Sequence, residues 1–250
     1  MPRKYFFVLL WIFFIIFLLA GCGYLTEPDF IGDPGSKWLC TQISGCVLWL
    51  DADGITGVSD GSSLDTWQDL SGNGNNATAA GADRPTYYTG ILNGKPAVYF
   101  SGTNQHMTLA SAVDMQPATV FVVLSYAAPS TNAPFLGNDT NSAFFGYYSN
   151  TIYYYSTVAS LNLAKTNPLT FEIITGYAQP VGSTSAIRIN GADYVTGSFN
   201  WGTSSFLYIA RRNTERFRGY VAEIVCYNRA LDSSEIQVVE TYLNDKYGIY

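Results

Sequence analysis

Beyond residue 45 the chain alternates between short apolar or alternating runs and clusters of Gly, Asn, Asp and Ser. Runs at 47–52, 97–100, 119–126, 143–148, 151–155, 170–175, 185–189, 206–210 and 220–227 predict strands, because β-branched and aromatic residues suit a pleated, half-buried surface. Asn93-Gly94 and Asn190-Gly191 fall between such runs and favour the positive-φ turns of tight hairpins. The unbroken run at Val120–Leu124 predicts a central strand covered on both faces, and many short strands at this spacing predict a sandwich or jelly roll. In 151–155, Tyr153 and Tyr155 share one face and Tyr154 takes the other. The only helical period comes last. Asp232 and Glu235 form a capping-box pair, Ile236, Val239, Leu243 and Tyr247 make one apolar stripe, and Gly248 supplies a stop.

The first residues read as an address. Arg3 and Lys4 precede an uncharged apolar run from Tyr5 to Leu19, which ends at Leu19-Ala20-Gly21-Cys22. That run is shorter than the ~20 residues a spanning helix needs and has the layout of a secretory signal. The tetrad resembles the bacterial lipobox, which implies lipidation at Cys22 and a mature chain starting there. Residues 1–21 are then a lipoprotein signal peptide, 22–45 a Gly- and Pro-containing tether, and 46–250 the folded domain. An uncleaved membrane anchor is the other reading. Both put the domain outside the cytoplasm, in a bacterial cell envelope, with the N-terminal lipid as its membrane contact.

Composition narrows the partners. The 250 residues carry a net charge of −6, and loss of Arg3 and Lys4 would make it −8. That excess of acid argues against nucleic acid, whose phosphates call for a basic surface. Cys40, Cys46 and Cys226 would remain after lipidation at Cys22. In an oxidising compartment they predict a disulfide, either local between Cys40 and Cys46 or joining one of them to Cys226.

Four stretches together resemble the laminin-G-like, concanavalin A-like lectin/glucanase superfamily: LWLDADG at 48–54, WQDLSGNGNN at 67–76, GKPAVYFSG at 94–102, and the strand and helix of 218–250. The resemblance implies an all-β fold, a two-sheet antiparallel jelly-roll sandwich with one C-terminal helix. It also implies a carbohydrate or protein partner and sometimes calcium.

Hydrolysis is not supported by the residues. Retaining glycosidases need two carboxyls ~5–5.5 Å apart, and no Glu-x-Asp-x-Glu strand occurs. Glu172 and Glu223 stand on separate strands, and His106 is the only histidine, with no Gly-x-Ser-x-Gly elbow. Binding features are stronger. Tyr153, Tyr155 and Trp201 are candidate platforms for sugar rings or a protein surface. Arg212, within the basic stretch 211–218, is a candidate for an acidic glycan. Asp69, Asn73 and Asn75, in a Gly-rich loop, are candidate calcium ligands. The expectation is therefore a non-catalytic, lectin-like envelope lipoprotein, with a protein–protein adhesion or assembly module as the alternative and a hydrolase or lyase behind both.

Overall fold

The computed structural model describes residues 40–127, 133–140, 143–148, 151–156, 158–164, 170–180, 182–198, 200, 202 and 204–250. Cys22, Trp201 and the proposed signal lie outside them. The described residues form two eight-stranded sheets in which every pairing is antiparallel. Sheet A runs β14 (Ala192–Ser198), β13 (Thr184–Ile189), β12 (Glu172–Ala178), β7 (Ala118–Tyr126), β18 (Arg218–Tyr227), β5 (Lys95–Ser101) and β4 (Thr86–Leu92). Its eighth strand, β1 (Cys46–Asp51), pairs with the second half of β18 on the edge whose first half carries β5. Sheet B runs β11 (Ser160–Ala164), β10 (Thr151–Tyr155), β9 (Phe144–Tyr148), β8 (Ala133–Gly137), β15 (Ser205–Ile209), β6 (Met107–Asp114), β3 (Ala77–Thr78) and β2 (Thr66–Trp67). A two-residue-per-strand hairpin, β16 (Arg211–Arg212) and β17 (Glu215–Arg216), stands apart from both.

Alternation along the strands builds the core. Val120, Val122, Leu124, Ile174 and Ile224 of sheet A meet Phe135, Phe145, Ile152, Tyr154 and Phe206 of sheet B in one buried cluster. Each such side chain contributes roughly 1.5–3 kcal/mol by leaving water. Tyr126 and Tyr147 stack across the layer at 4.3 Å. The strand expected to be central is buried at all nine positions of β7, because sheet A is covered on its outer face as well. That cover is helix α1 (Ser233–Tyr247), whose Ile236, Val239, Leu243 and Tyr247 pack on Trp49, Phe121, Val123 and Val225. Cys40 and Ile43, read from sequence as part of the tether, pack in the same outer cluster.

Both expected hairpins form. Asn93-Gly94 and Asn190-Gly191 take positive φ at both residues, joining β4 to β5 and β13 to β14. The helix caps are also as read: Asp232 accepts the Glu235 N–H, the Glu235 side chain accepts the Asp232 N–H, and Gly248 is left-handed. Arg229 grips Glu235 with Nη1 at 2.7 Å and Nη2 at 2.5 Å. The Arg229 bond holds the Glu235 carboxyl below its usual range. A depressed folded-state value adds stability above the ordinary glutamate range, and that stability is lost as pH falls through the folded value. Thermal melts from neutrality to about pH 3 therefore lose more stability in the wild type than in Arg229→Met. Parallel pH profiles would remove this role.

The expected disulfide is not formed. Cys40, Cys46 and Cys226 are free thiols. Cys226 points into the inter-sheet core, whereas Cys40 and Cys46 belong to the helix-covered outer face, so the sheet itself separates Cys226 from the other two. Burial, then the Asp69 carboxylate, pushes the Cys46 thiol up to about 12. Little thiolate is available there for exchange.

Candidate functional site

Sheet B has an outer face that α1 does not cover, and β9 and β10 write aromatics onto it. Phe145, Tyr147, Ile152 and Tyr154 turn inward, so Phe144, Gly146, Tyr148, Tyr153 and Tyr155 turn outward. Tyr155 stands opposite Phe144 and Tyr153 opposite Gly146. Gly146 permits a close approach by β8: a Cβ there would lie 2.5 Å from Pro134 Cα. The Tyr153 ring spans this bare position, 6.0 Å from Phe144 and 5.9 Å from Tyr148, and the Tyr155 ring lies 5.2 Å from Phe144. Tyr148 is 44% exposed, the outermost ring of the row. On the far side Asn162 and Ser160 of β11 pair with Tyr153 and Tyr155, giving the rings a polar border.

The β16–β17 hairpin closes the other end. Arg212 lays its guanidinium 4.3 Å from the Phe144 centroid and 5.9 Å from that of Tyr155, while its Nε meets Glu215 at 2.9 Å. Gly137 is what lets the hairpin sit so close, since a Cβ there would lie 2.4 Å from the Arg211 carbonyl. Arg211 bonds Asp139 at 2.5 Å and His106 Nε2 at 3.0 Å, over the Tyr208 ring. His106 is thus a buried link whose Nδ1 faces the Asn104 carbonyl, as its place beside a strand start suggests. Arg216 bonds backbone carbonyls of Asn104, Asn213 and Glu215. The structure therefore brings Tyr153, Tyr155 and Arg212 into one surface.

The Asp69 loop is held shut by its own bonds. Asp69 Oδ1 accepts the N–H groups of Trp49 and Ser71, both at 2.9 Å, and Oδ2 accepts Ser71 Oγ at 2.8 Å and the Asn75 N–H at 2.9 Å. Asn75 Oδ1 takes the Ser111 N–H at 2.7 Å, and Asn73 uses its amide nitrogen on Cys46 O and Ser71 Oγ. Calcium takes six to eight oxygens. Both Asp69 oxygens are already taken by donors of the protein itself. Among the described residues no group of three His, Cys, Asp or Glu side chains is placed to hold a metal ion.

Glu172 and Glu223 do not form a dyad. Glu172 follows the inward alternation of Ile174 on β12, whereas Glu223 faces α1 on the opposite side of the sheet. Glu223 is fully buried and accepts four bonds: Trp49 Nε1 at 2.7 Å, Tyr242 Oη at 3.0 Å, Tyr247 Oη at 2.8 Å and Lys246 Nζ at 2.7 Å. Lys246 also meets Asp51, the cross-strand neighbour of Glu223, at 2.7 Å. Burial pushes Glu223 up, with Asp51 adding and Lys246 opposing. This is an anchor for α1. A further aromatic group, Tyr88, Tyr99, Tyr220 and Phe171, lies on sheet A with ring centroids 4.9–6.2 Å apart. Sequence reading missed it because its rings come from four separate segments.

No protein-family model and no curated protein sequence matches the chain. Solved structures do. The chain is similar to a Trypanosoma rangeli sialidase complexed with 2,3-difluoro-KDN, with TM-score 0.58 and 16% identity over 90% of this chain and 36% of that one. It is similar to the binding domain of Paraclostridial Mosquitocidal Protein 1, with TM-score 0.57 and 13% identity over 80% and 53%. It is also similar to domain 4 of AbnA, a GH43 extracellular arabinanase from Geobacillus stearothermophilus complexed with arabinotriose, with TM-score 0.53 and 17% identity over 76% and 96%. The likeness is one of fold. The chain spans about a third of the sialidase and nearly all of the arabinanase domain.

Proposed function

We propose that this chain is a non-catalytic carbohydrate-binding domain whose ligand lies on the outer face of sheet B. The observation that carries the reading is the row Tyr148, Tyr153 and Tyr155 on the outer face of sheet B, set around the buried Phe144 ring and closed at one end by the Arg212 guanidinium. Apolar ring faces suit the C–H faces of sugars, while the tyrosine hydroxyls, Asn162 and Arg212 suit their oxygens. The arabinanase domain solved with arabinotriose lends support through its fold. We read the sandwich as the concanavalin A-like jelly roll, and the Cys22 lipobox as the lipid anchor that holds it on a bacterial envelope.

The test is a glycan and polysaccharide binding screen of the chain in a non-glycosidic detergent, run in calcium and in chelator. Saturable binding that survives the chelator is expected, because the platform contains no metal ligand. Binding lost in chelator would move the site to a metal loop. Silence across the screen, with the protein shown folded, would overturn the carbohydrate reading and leave the tyrosine face to a protein partner.

A further inference from the structure

The charges at the end of the tyrosine row decide what class of sugar suits it. In the β16–β17 register Arg211 stands opposite Arg216 and Arg212 opposite Glu215, so the hairpin sorts its side chains onto two sides. Arg211 and Arg216 go to the side of His106 and Asn104. Arg212 and Glu215 pair on the side of Phe144. Stacking holds the Arg212 guanidinium 4.3 Å from the Phe144 centroid, beside Tyr155. Its Nε is enclosed 2.9 Å from Glu215 Oε2, close enough to pair the charges but not aligned as a hydrogen bond. Nη1 and Nη2 meet no acceptor among the described residues and, unlike Nε, are open to solvent. The platform therefore ends in two free donors.

A guanidinium presents its donors as a flat fork that suits two oxygens side by side. A carboxylate offers such a pair, and so do adjacent hydroxyls of a neutral sugar. Charge separates the two. Arg211 is paired with Asp139 at 2.5 Å, Arg216 lies under the charges of Asp139 and Asp83, and Arg212 is paired with Glu215. Three guanidinia thus face three carboxylates, and the hairpin holds no surplus cation for an incoming anion. A carboxylate brought to the Arg212 fork would also stand beside Glu215. We infer that Glu215 sets the ligand class of this face: it cancels the Arg212 charge, so that the fork donates to two adjacent hydroxyls of a neutral sugar and turns uronates away. The inference rests on the carbohydrate reading of the sheet B face, and it departs from the acidic glycan that Arg212 suggests by residue type.

The test is calorimetric titration of the full chain in a non-glycosidic detergent with oligosaccharide pairs that share a linkage and differ in charge at C6. The pairs are oligogalacturonate with and without methyl esters, cellohexaose and its C6-oxidised uronate, and mannohexaose and its C6-oxidised uronate. Wild type, Glu215→Gln, Arg212→Met and Tyr153→Ala are compared, with melting temperatures to report folding. The wild type is expected to bind the neutral member of at least one pair more tightly than the charged one. That binding weakens in Tyr153→Ala, and about tenfold in Arg212→Met, the worth of a hydrogen bond from a charged donor. In Glu215→Gln the charged member gains about fivefold relative to the neutral one, the scale of one exposed ion pair. Glu215→Gln keeps the shape of the side chain, and it decides the matter where Arg212→Met does not fold. A wild-type preference for the charged member, lost in Tyr153→Ala, overturns the inference and leaves the carbohydrate face standing. A neutral preference that Glu215→Gln leaves unchanged overturns it too. No binding of any pair by the folded protein overturns both the inference and the carbohydrate reading.

Discussion

Lys246→Met lowers the stability of the domain by about 3–5 kcal/mol, because it removes the one cation that serves two buried carboxylates. Glu223 is wholly enclosed and Asp51 nearly so, and both direct an oxygen to Lys246 Nζ at 2.7 Å. Methionine fills similar space and leaves two like charges facing each other across paired strands, at the register Asp51 to Glu223. For a domain of this size the loss corresponds to a fall in melting temperature of roughly 6–20 °C. The added substitution Glu223→Gln removes one of the stranded charges and recovers part of it. Thermal melts at neutral pH decide the matter, and a Lys246→Met variant that melts with the wild type would sink the assignment of this cluster as the anchor of α1.

The second large effect is on binding. Removing one stacked ring costs about 0.5–1.5 kcal/mol, so the double variant Tyr153→Ala/Tyr155→Ala weakens the glycan found in the screen by up to roughly 100-fold. Calorimetric titration of wild type and variant measures this directly. The melting temperature changes little by comparison, since both rings stand outside the inter-sheet cluster, with Phe144, Tyr148 and Arg212 as their ring and cation contacts among the described residues. Undiminished affinity in a folded double variant would remove the platform from the function.

These contrasts show which parts of the molecule are legible in its sequence. Local chemistry reads well. The Asp232–Glu235 cap, the stripe from Ile236 to Tyr247, the two Asn-Gly turns and the two-sided burial of Val120–Leu124 depend on neighbours within a few residues, or on a strand's own composition. The Tyr153/Tyr154/Tyr155 alternation needs only the pleat. What depends on who pairs with whom does not read. Strand β4 is hidden by Gly90, whose positive φ marks a shift of register, and β8 by Pro134. Glu223 shows only as a lone acid between Val221 and Val225, since its partners Trp49, Asp51 and Lys246 are brought to it by a strand from the start of the domain and a helix from its end. Asp69, singled out for a metal because it sits among Asn and Gly, turns out to spend both oxygens on backbone and side-chain donors from its own loop and from β1. Residue type marks an oxygen-rich loop, but free lone pairs are a property of the folded geometry.

The pleat of β9 and β10 has a last consequence. Phe145, Tyr147, Ile152 and Tyr154 hold the sandwich together, while the residues between them face outward. Two instructions are interleaved on the same ten residues, one for folding and one for contact, and neither has to change when the other does. Successive substitutions at 148, 153 and 155 can redraw what the face recognises one ring at a time, with each intermediate still folded. A scaffold organised in this way can change the surface it presents without being rebuilt.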